Sequence, residues 1–293
     1  MVECVLQARG RTVNFPRRPL IMGILNINDD SFSGDGRIDP AWALQQAQVL
    51  AEAGADIVDV GAESARTNRV AIAAEEEIAR LEPFLQGYSR AVAASRPRDP
   101  EQIFPPLLSV NTWRPEVAGA ALAIGGDILN DMGALPDDRN TLHCARTGAA
   151  LLIMHSVGQP KQKHTEVSYS DVVSTVREFF SNKLVMAAAA GVPRSATILD
   201  PGLDFAKQAA DNLRLLKGVG ELASLGRPLL LPISRKSVIG RVLGIQDPRE
   251  RDPGTAACLV AGARRGASIF RVHNVDMAWR VLVSLQKIEG KCR

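Results

Sequence analysis

The chain has 293 residues, 46% of them hydrophobic and 4% aromatic, with a net charge of +3 and a pI near 8.8. That length accommodates one large α/β domain or two ordinary ones. No run of about 18 apolar residues is present, so nothing reads as a membrane span. The absence of a concentrated Lys/Arg run argues against a nucleic-acid partner. The opening MVECVLQARGR lacks an apolar signal core, which places the protein in the cytoplasm. Cys4, Cys144, Cys258 and Cys292 are scattered without CxxC spacing and read as reduced thiols.

Residues 2–14 pattern as a hairpin that turns at Ala8-Arg9-Gly10 and returns through Thr12 to Phe15, a plug for a barrel floor. A strand–helix unit then repeats. The first strand, 20–26, empties into a polar loop that carries Asn26, Asn28, Asp29, Asp30, Ser31, Ser33 and Asp35. The first helix begins at Asp39 as N-cap with Pro40 in its first turn, and Leu44, Ala47, Leu50 and Ala51 form its apolar stripe. Further strands are expected at 56–61, 106–111, 127–131, 150–155, 197–200, 228–233 and 267–272. Helices are expected at 72–95, where Pro83 should kink or split it, then after a Thr112 cap, and at 137–147, 168–190 and 208–224. A two-piece helix at 237–243 and 253–265 and a last helix at 275–289 complete the series.

Two regularities fix the fold class. Gly54, Gly126, Gly148, Gly191, Gly226 and Gly266 each follow a helix and precede a strand, as left-handed helix ends do. The strands are continuous apolar runs, the mark of a parallel sheet covered on both faces. Eight such units indicate a single (β/α)8 TIM barrel, with residues 1–16 as a hairpin and 17–293 as the barrel. A doubly wound sheet is the alternative, but no GxGxxG follows the first strand.

In a (β/α)8 barrel the chemistry lies at the C-terminal strand ends. Those ends read Asn26; Asp59 with Glu63 and Arg66; Asn111; Asn130 and Asp131; His155; Asp200; Ser234, Arg235 and Lys236; Arg271 and His273. Any one polar strand end is more often structural than functional, whereas eight on one rim favour a site. Arg66, Lys236, Arg271 and His273 suit phosphate or pyrophosphate. Asp59, Asn111, Asn130 and Asp200 suit the donor edge of a flat nitrogen heterocycle. HExxH, GxSxG and any Cys/His zinc spacing are missing. His143 reads as an ordinary helix residue and His164 as part of a solvated basic loop.

The segments GILNINDDSFSGDG, DIVDVGAESAR, LSVNTWRPEVA, ILNDMG, LIMHSVGQP, ILDPGLDFAK, LLLPISRKSVIG and FRVHNV stand in one order along the chain. Together they resemble the dihydropteroate synthase family, whose first loop usually reads GILNVTPDSFSDGG and whose second reads DIIDVGGESTRPG. The resemblance implies the same barrel and the joining of 4-aminobenzoate to 6-hydroxymethyl-7,8-dihydropterin pyrophosphate. It implies Mg2+ at Asn26, pyrophosphate at Arg66, Arg271 and His273, and the pterin at Asp59, Asn111, Asn130, Asp200 and Lys236. Ser234 and Arg235 would border the aminobenzoate, the side that sulfonamides mimic. Lys236, Asn111 and Arg271 fall at the positions that the resemblance marks as catalytic. A homodimer formed through the last helices would follow from the same resemblance, although Val281, Leu282, Leu285 and Ile288 read more readily as core than as interface.

The chain also departs from the pattern. Asn111 replaces the family Asp, a change that would cost about 1.5–3 kcal/mol if that carboxylate makes a charge-assisted bond. Ala65, Thr67 and Asn68 alter the second loop, and Asn28, Asp29 and the order Ser33-Gly34-Asp35-Gly36 alter the first. Asp204 and Ala206 stand where the family has glycines, and Pro232 precedes the SRK triplet. The alternative these changes raise is a divergent paralogue that binds pterin but uses another arylamine or is non-catalytic. A corrinoid methyltransferase of the wider pterin-binding group would not need the SRKS and RVH segments.

Overall fold

The computed structural model describes residues 3–28, 37–64, 70–162 and 167–290. The chain starts with β1 (Cys4–Ala8) and β2 (Arg11–Phe15), paired antiparallel. Arg9 and Gly10 turn the hairpin with φ of +46° and +79°, the double left-handed turn that matches strand twist. The sheet follows with β3 (Leu20–Asn26), β4 (Ile57–Gly61), β5 (Leu107–Asn111), β6 (Ile128–Asp131), β7 (Ala150–Met154), β8 (Thr197–Asp200), β9 (Leu230–Leu231) and β10 (Ile269–Val272). All eight run parallel, in the order β8-β7-β6-β5-β4-β3-β10-β9. A parallel bridge from Leu199 to Leu229 joins the two ends of that sheet into a barrel.

The covering helices are α1 (Pro40–Glu52), α2 (Ala74–Ala93), α3 (Pro115–Ile124), α4 (Arg139–Thr147) and α5 (Val172–Ala189). They continue as α6 (Ala209–Lys217), α7 (Val219–Ala223), α8 (Ser237–Leu243), α9 (Asp252–Arg264) and α10 (Val275–Ile288). Asp39 caps α1 as expected, accepting from the amides of Ala41 and Trp42 at 3.0 and 3.2 Å. Five of the six inter-element glycines have φ between +71° and +103°. Gly126 does not. A Cβ there would lie 3.1 Å from both Leu122 and Val110, so close packing accounts for it.

Several expectations are corrected. Pro83 does not split helix α2, which continues through it to Ala93; Pro83 lies on the exposed face, where water can serve the freed Ala79 carbonyl. Thr112 is not the α3 cap; it precedes the helix and accepts from the Arg114 amide at 3.2 Å. The 208–224 helix divides at Gly218 into α6 and α7. The strand expected at 228–233 keeps only Leu230 and Leu231, since Pro228 and Pro232 cannot donate to a ladder. In the α1 stripe Ala43, Ala47 and Ala51 are buried, while Leu44 and Leu50 are half-buried. Leu282 and Leu285 of α10 pack into the core, and Ile288 is 78% exposed.

The barrel interior is filled from below. Leu6, Ala8, Val13 and Phe15 of the hairpin join Leu20, Met22, Ile57, Leu107, Ile128, Ala150, Leu152, Ile198, Leu230 and Ile269 in one buried cluster. The hairpin therefore plugs the floor, and only the upper rim is left for chemistry. Beside the floor the Asp56 carboxylate accepts from Arg18 at 3.3 Å and from the amides of Ile21 and Ile103 at 2.9 Å. Burial pushes this acid above its ordinary range, and Arg18 pulls it back. Removing one member of such a pair strands the other. Asp56→Ala should therefore destabilise the protein by about 3–5 kcal/mol, against about 1 kcal/mol for Asp39→Ala, both read by urea denaturation.

Candidate active site at the upper rim

Strand parity decides which polar side chains enter the barrel. Successive residues point to opposite faces. Leu20 and Met22, Ile57, Leu107, Ile128, Ile198, Leu230 and Ile269 all belong to the interior cluster. Counting upward in steps of two brings Asn26, Asp59, Ser109, Asn111, Asn130, Asp200, Ser234, Arg271 and His273 to the same inner face. Asp131 and His155 have the opposite parity. Asp131 accepts from Asn140 on α4 at 2.8 Å and from the Gly133 amide at 2.7 Å, so it braces the outer layer. His155 stacks edge-on against Phe179, with ring centroids 4.9 Å apart.

Asp59 is the hub of the inner face. It is fully buried. Its carboxylate accepts from Ser109 Oγ at 2.5 Å, from Asn130 Nδ2 at 3.1 and 3.2 Å, and from Arg271 Nε at 2.7 Å. Four strands thus meet on one anion. Asn111 is 5% exposed and lies in register with Asn130. A Cβ on Gly61 would sit 3.4 Å from the Asn111 Cβ, so the strand end packs closely against it.

Asp200 faces the other side of the rim. Its Oδ1 accepts from the Gly202 amide at 2.7 Å. Burial pushes its pKa up to about 6, opposed by that amide and by Lys236, Lys207 and Arg271. Gly202 is obligatory, because with φ at +65° its Cβ would fall 2.0 Å from the His155 carbonyl. Lys207 lies 2.9 Å from His155 Nδ1 and also donates to the carbonyls of His155 and Phe205 at 3.3 and 3.0 Å. Desolvation lowers Lys207 to about 7, and burial with the neighbouring Lys207 lowers His155 to about 3. Lys236 is half-buried, with Nζ 4.8 Å from the Phe205 ring centre, and desolvation lowers its pKa.

Ser234 and His273 form a pair. The His273 amide donates to Ser234 Oγ at 3.3 Å, and the same hydroxyl lies 3.0 Å from His273 Nδ1. Arg235, with φ of +60°, forms a two-pronged pair with Asp252 at 2.8 and 3.1 Å. Glu63 binds Arg114 and lies 3.0 Å from Lys161, and Arg114 also binds Glu77. This knot of charge underlies the start of the second loop. Arg66, residues 29–36 of the first loop, Ala65, Thr67, Asn68, His164 and Cys292 lie outside the described residues.

Ser109, Lys207, Phe205, Asp204 and Asp252 belong to this site and were absent from the rim as read from sequence. Counting by two from Leu107 would have found Ser109. Nothing in the sequence pairs Arg235 with an acid 17 residues away.

A floor-plugged barrel with this inward ring defines a pterin-binding enzyme, and residues 22–273 match the family described as pterin binding enzyme. The dihydropteroate synthase of Synechocystis is 37% identical over 91% of this chain and 89% of its own length. The Yersinia pestis dihydropteroate synthase, solved with a sulfonamide drug, superposes with a TM-score of 0.86 at 33% identity, covering 98% and 100% of the two chains. The Xanthomonas albilineans enzyme, solved with 7,8-dihydropteroate, gives 0.82 at 33% identity over 97% and 98%. The chain belongs to the dihydropteroate synthase family and is a transferase.

The raised Asp200 pKa is directly measurable. In a 13C-carboxyl NMR titration Asp200 should change near pH 6, well above the usual carboxylate range. Lys236→Met should move that midpoint higher still, because it removes a cation that favours the ionised form.

Proposed function

We propose that this protein condenses 6-hydroxymethyl-7,8-dihydropterin pyrophosphate with 4-aminobenzoate to give 7,8-dihydropteroate and pyrophosphate, a step of folate biosynthesis. The observation that carries this reading is the convergence on one rim: Asn130 and Arg271 both donate to Asp59, and Asp200, Lys236 and Arg271 lie within electrostatic reach of one another. Asp200, Asn130 and Lys236 would take the heterocycle edge, and Arg271 with His273 the pyrophosphate. The Asp200 carboxylate offers two acceptors to an amino group and its neighbouring ring N–H. Asn130 donates to Asp59, which leaves its carbonyl oxygen for the pterin. Lys236 supplies an ammonium donor to the opposite ring edge.

Arg271 spends its Nε–H on Asp59 and keeps its other guanidinium donors for the pyrophosphate. The bond that breaks joins the pterin methylene carbon to the pyrophosphate oxygen. The electron pair leaves with pyrophosphate, whose charge Arg271, His273 and Arg66 would meet. The arylamine nitrogen then forms the new C–N bond and releases its proton to solvent. Asp59 and Asp200 favour the positive charge that develops on the pterin. No protein nucleophile is required. The loops after β3 and β4 would cover the second substrate.

Mg2+ belongs to the same reading. Asn26 offers one neutral oxygen, and the described residues hold no group of three or more His, Cys, Asp or Glu able to bind a metal. That donor set fits a hard cation held chiefly by pyrophosphate oxygens. Bound there, it would neutralise charge on the leaving group. A cytoplasmic location and a homodimer complete the reading. No described helix is long and apolar enough to cross a membrane, and Ile288 leaves an apolar residue uncovered near the chain end. Asn111, buried on the inner face, is the observation that keeps the divergent-paralogue alternative in view.

With both substrates and Mg2+, pyrophosphate and dihydropteroate should appear in equal amounts. Pyrophosphate alone would indicate a different arylamine, and neither product with bound pterin would indicate a binding protein. Lys236→Ala should lower kcat/KM about ten- to a hundredfold by removing a charged hydrogen-bond partner. Because Asp200 retains its proton to about pH 6, kcat/KM for the pterin should fall with acidification below that pH rather than below the usual range near 4.

A further inference from the structure

Asp204 lies in the loop between β8 and α6 with φ of +66°, and Ala206 follows at +50°. These are left-handed conformations, for which glycine is the unstrained choice. The resemblance noted above has glycines at both positions. This chain keeps the glycine backbone and adds side chains to it. At Ala206 the addition is a methyl group. At Asp204 it is a carboxylate, and that carboxylate is fully engaged.

Asp204 Oδ2 accepts from the Ser237 amide at 2.7 Å, and Oδ1 accepts from Asn212 Nδ2 at 2.8 Å. The Asp204 amide donates to Asn212 Oδ1 at 3.0 Å. Ser237 directly follows Lys236, and the Phe205 ring beneath the Lys236 ammonium directly follows Asp204. The loop and the first turn of α8 are therefore tied at two adjacent residues on each side. We propose that Asp204 is a positioning residue for Lys236, holding the loop after β8 and the start of α8 as one unit with an anion facing the ammonium. This deepens the synthase reading and rests on it only for the effect on turnover.

Among the described residues four charged groups act on Lys236. Asp204 and Asp200 favour its charged form, and Arg271 disfavours it. Lys207 is the fourth, coupled to Lys236 by mutual repulsion. Desolvation of Lys236 is the opposing influence. Without Asp204 a half-buried ammonium would face Arg271 and Lys207, with Asp200 the remaining anion among the described residues.

The test uses the full chain with Asp204→Asn. Asparagine tolerates left-handed backbone and can still accept from the Ser237 amide, while its Nδ2 faces the Asn212 amide group, so the variant loses the charge together with the Asn212 Nδ2 bond. With 13C-labelled lysine, and Lys236→Arg used to assign the signal, the Lys236 midpoint should fall by about one pH unit or more. In the synthase assay the same variant should lose about tenfold in kcat/KM at pH values above the new midpoint. Asp204→Gly, the unstrained residue at this φ, should give the same shift and guards against misfolding of the first variant. An unchanged Lys236 midpoint in both variants would overturn the proposal, including when the thermal midpoint falls, because that result assigns Asp204 a purely structural contact. A wild-type protein that makes no dihydropteroate but shows the Asp204→Asn shift would overturn the synthase reading and support the positioning.

Discussion

A buried carboxylate must be paired, and Asp59 is the point where this constraint organises the site. An anion with no exposed surface would be untenable in a barrel lined by Leu, Ile and Met unless donors surrounded it. Ser109, Asn130 and Arg271 reach it from β5, β6 and β10. Each donor is thereby fixed in rotamer, and Asn130 and Arg271 keep polar atoms that Asp59 does not engage. The ring is preorganised before substrate enters, which is what transition-state stabilisation by fixed dipoles requires. The floor serves the same end, since the hairpin fills the lower barrel and confines chemistry to the upper face.

The two buried aspartates of the inner face are served differently. Asp59 is surrounded by three side-chain donors. Asp200 has one amide within hydrogen-bond reach and cations farther off, so desolvation prevails and its pKa rises to about 6. The first is a structural anion that orients Arg271. The second keeps unused acceptor capacity, as a residue awaiting a donor-rich heterocycle would. Lys236 completes the arrangement because its environment is cationic as well as anionic, which makes its neighbours on the loop after β8 consequential.

Much of this was legible in the residues. The repeat of apolar runs and helical segments specified the barrel, and the polar strand ends specified the rim. What the rim reading lacked was parity. Asp131 and His155 end their strands like the others but point outward, and a count from the first buried residue of each strand separates them. Other features depend on contacts distant in sequence. The interruption at Pro228 and Pro232 follows from a ladder that only the barrel creates, and the tolerance of Pro83 follows from its facing water. The bidentate Arg235–Asp252 pair leaves no local signal, because it arises where separate elements meet, whereas the left-handed Asp204 was marked by the glycine that the family has there.

The inner ring is proposed as the pterin and pyrophosphate site. The most direct measurement is a crystal structure of the protein soaked with dihydropterin pyrophosphate and Mg2+. The pterin ring is expected between Asn130, Asp200 and Lys236, with the pyrophosphate against Arg271 and His273. A pterin seated away from the inner face, or no bound pterin at saturating ligand, would contradict it.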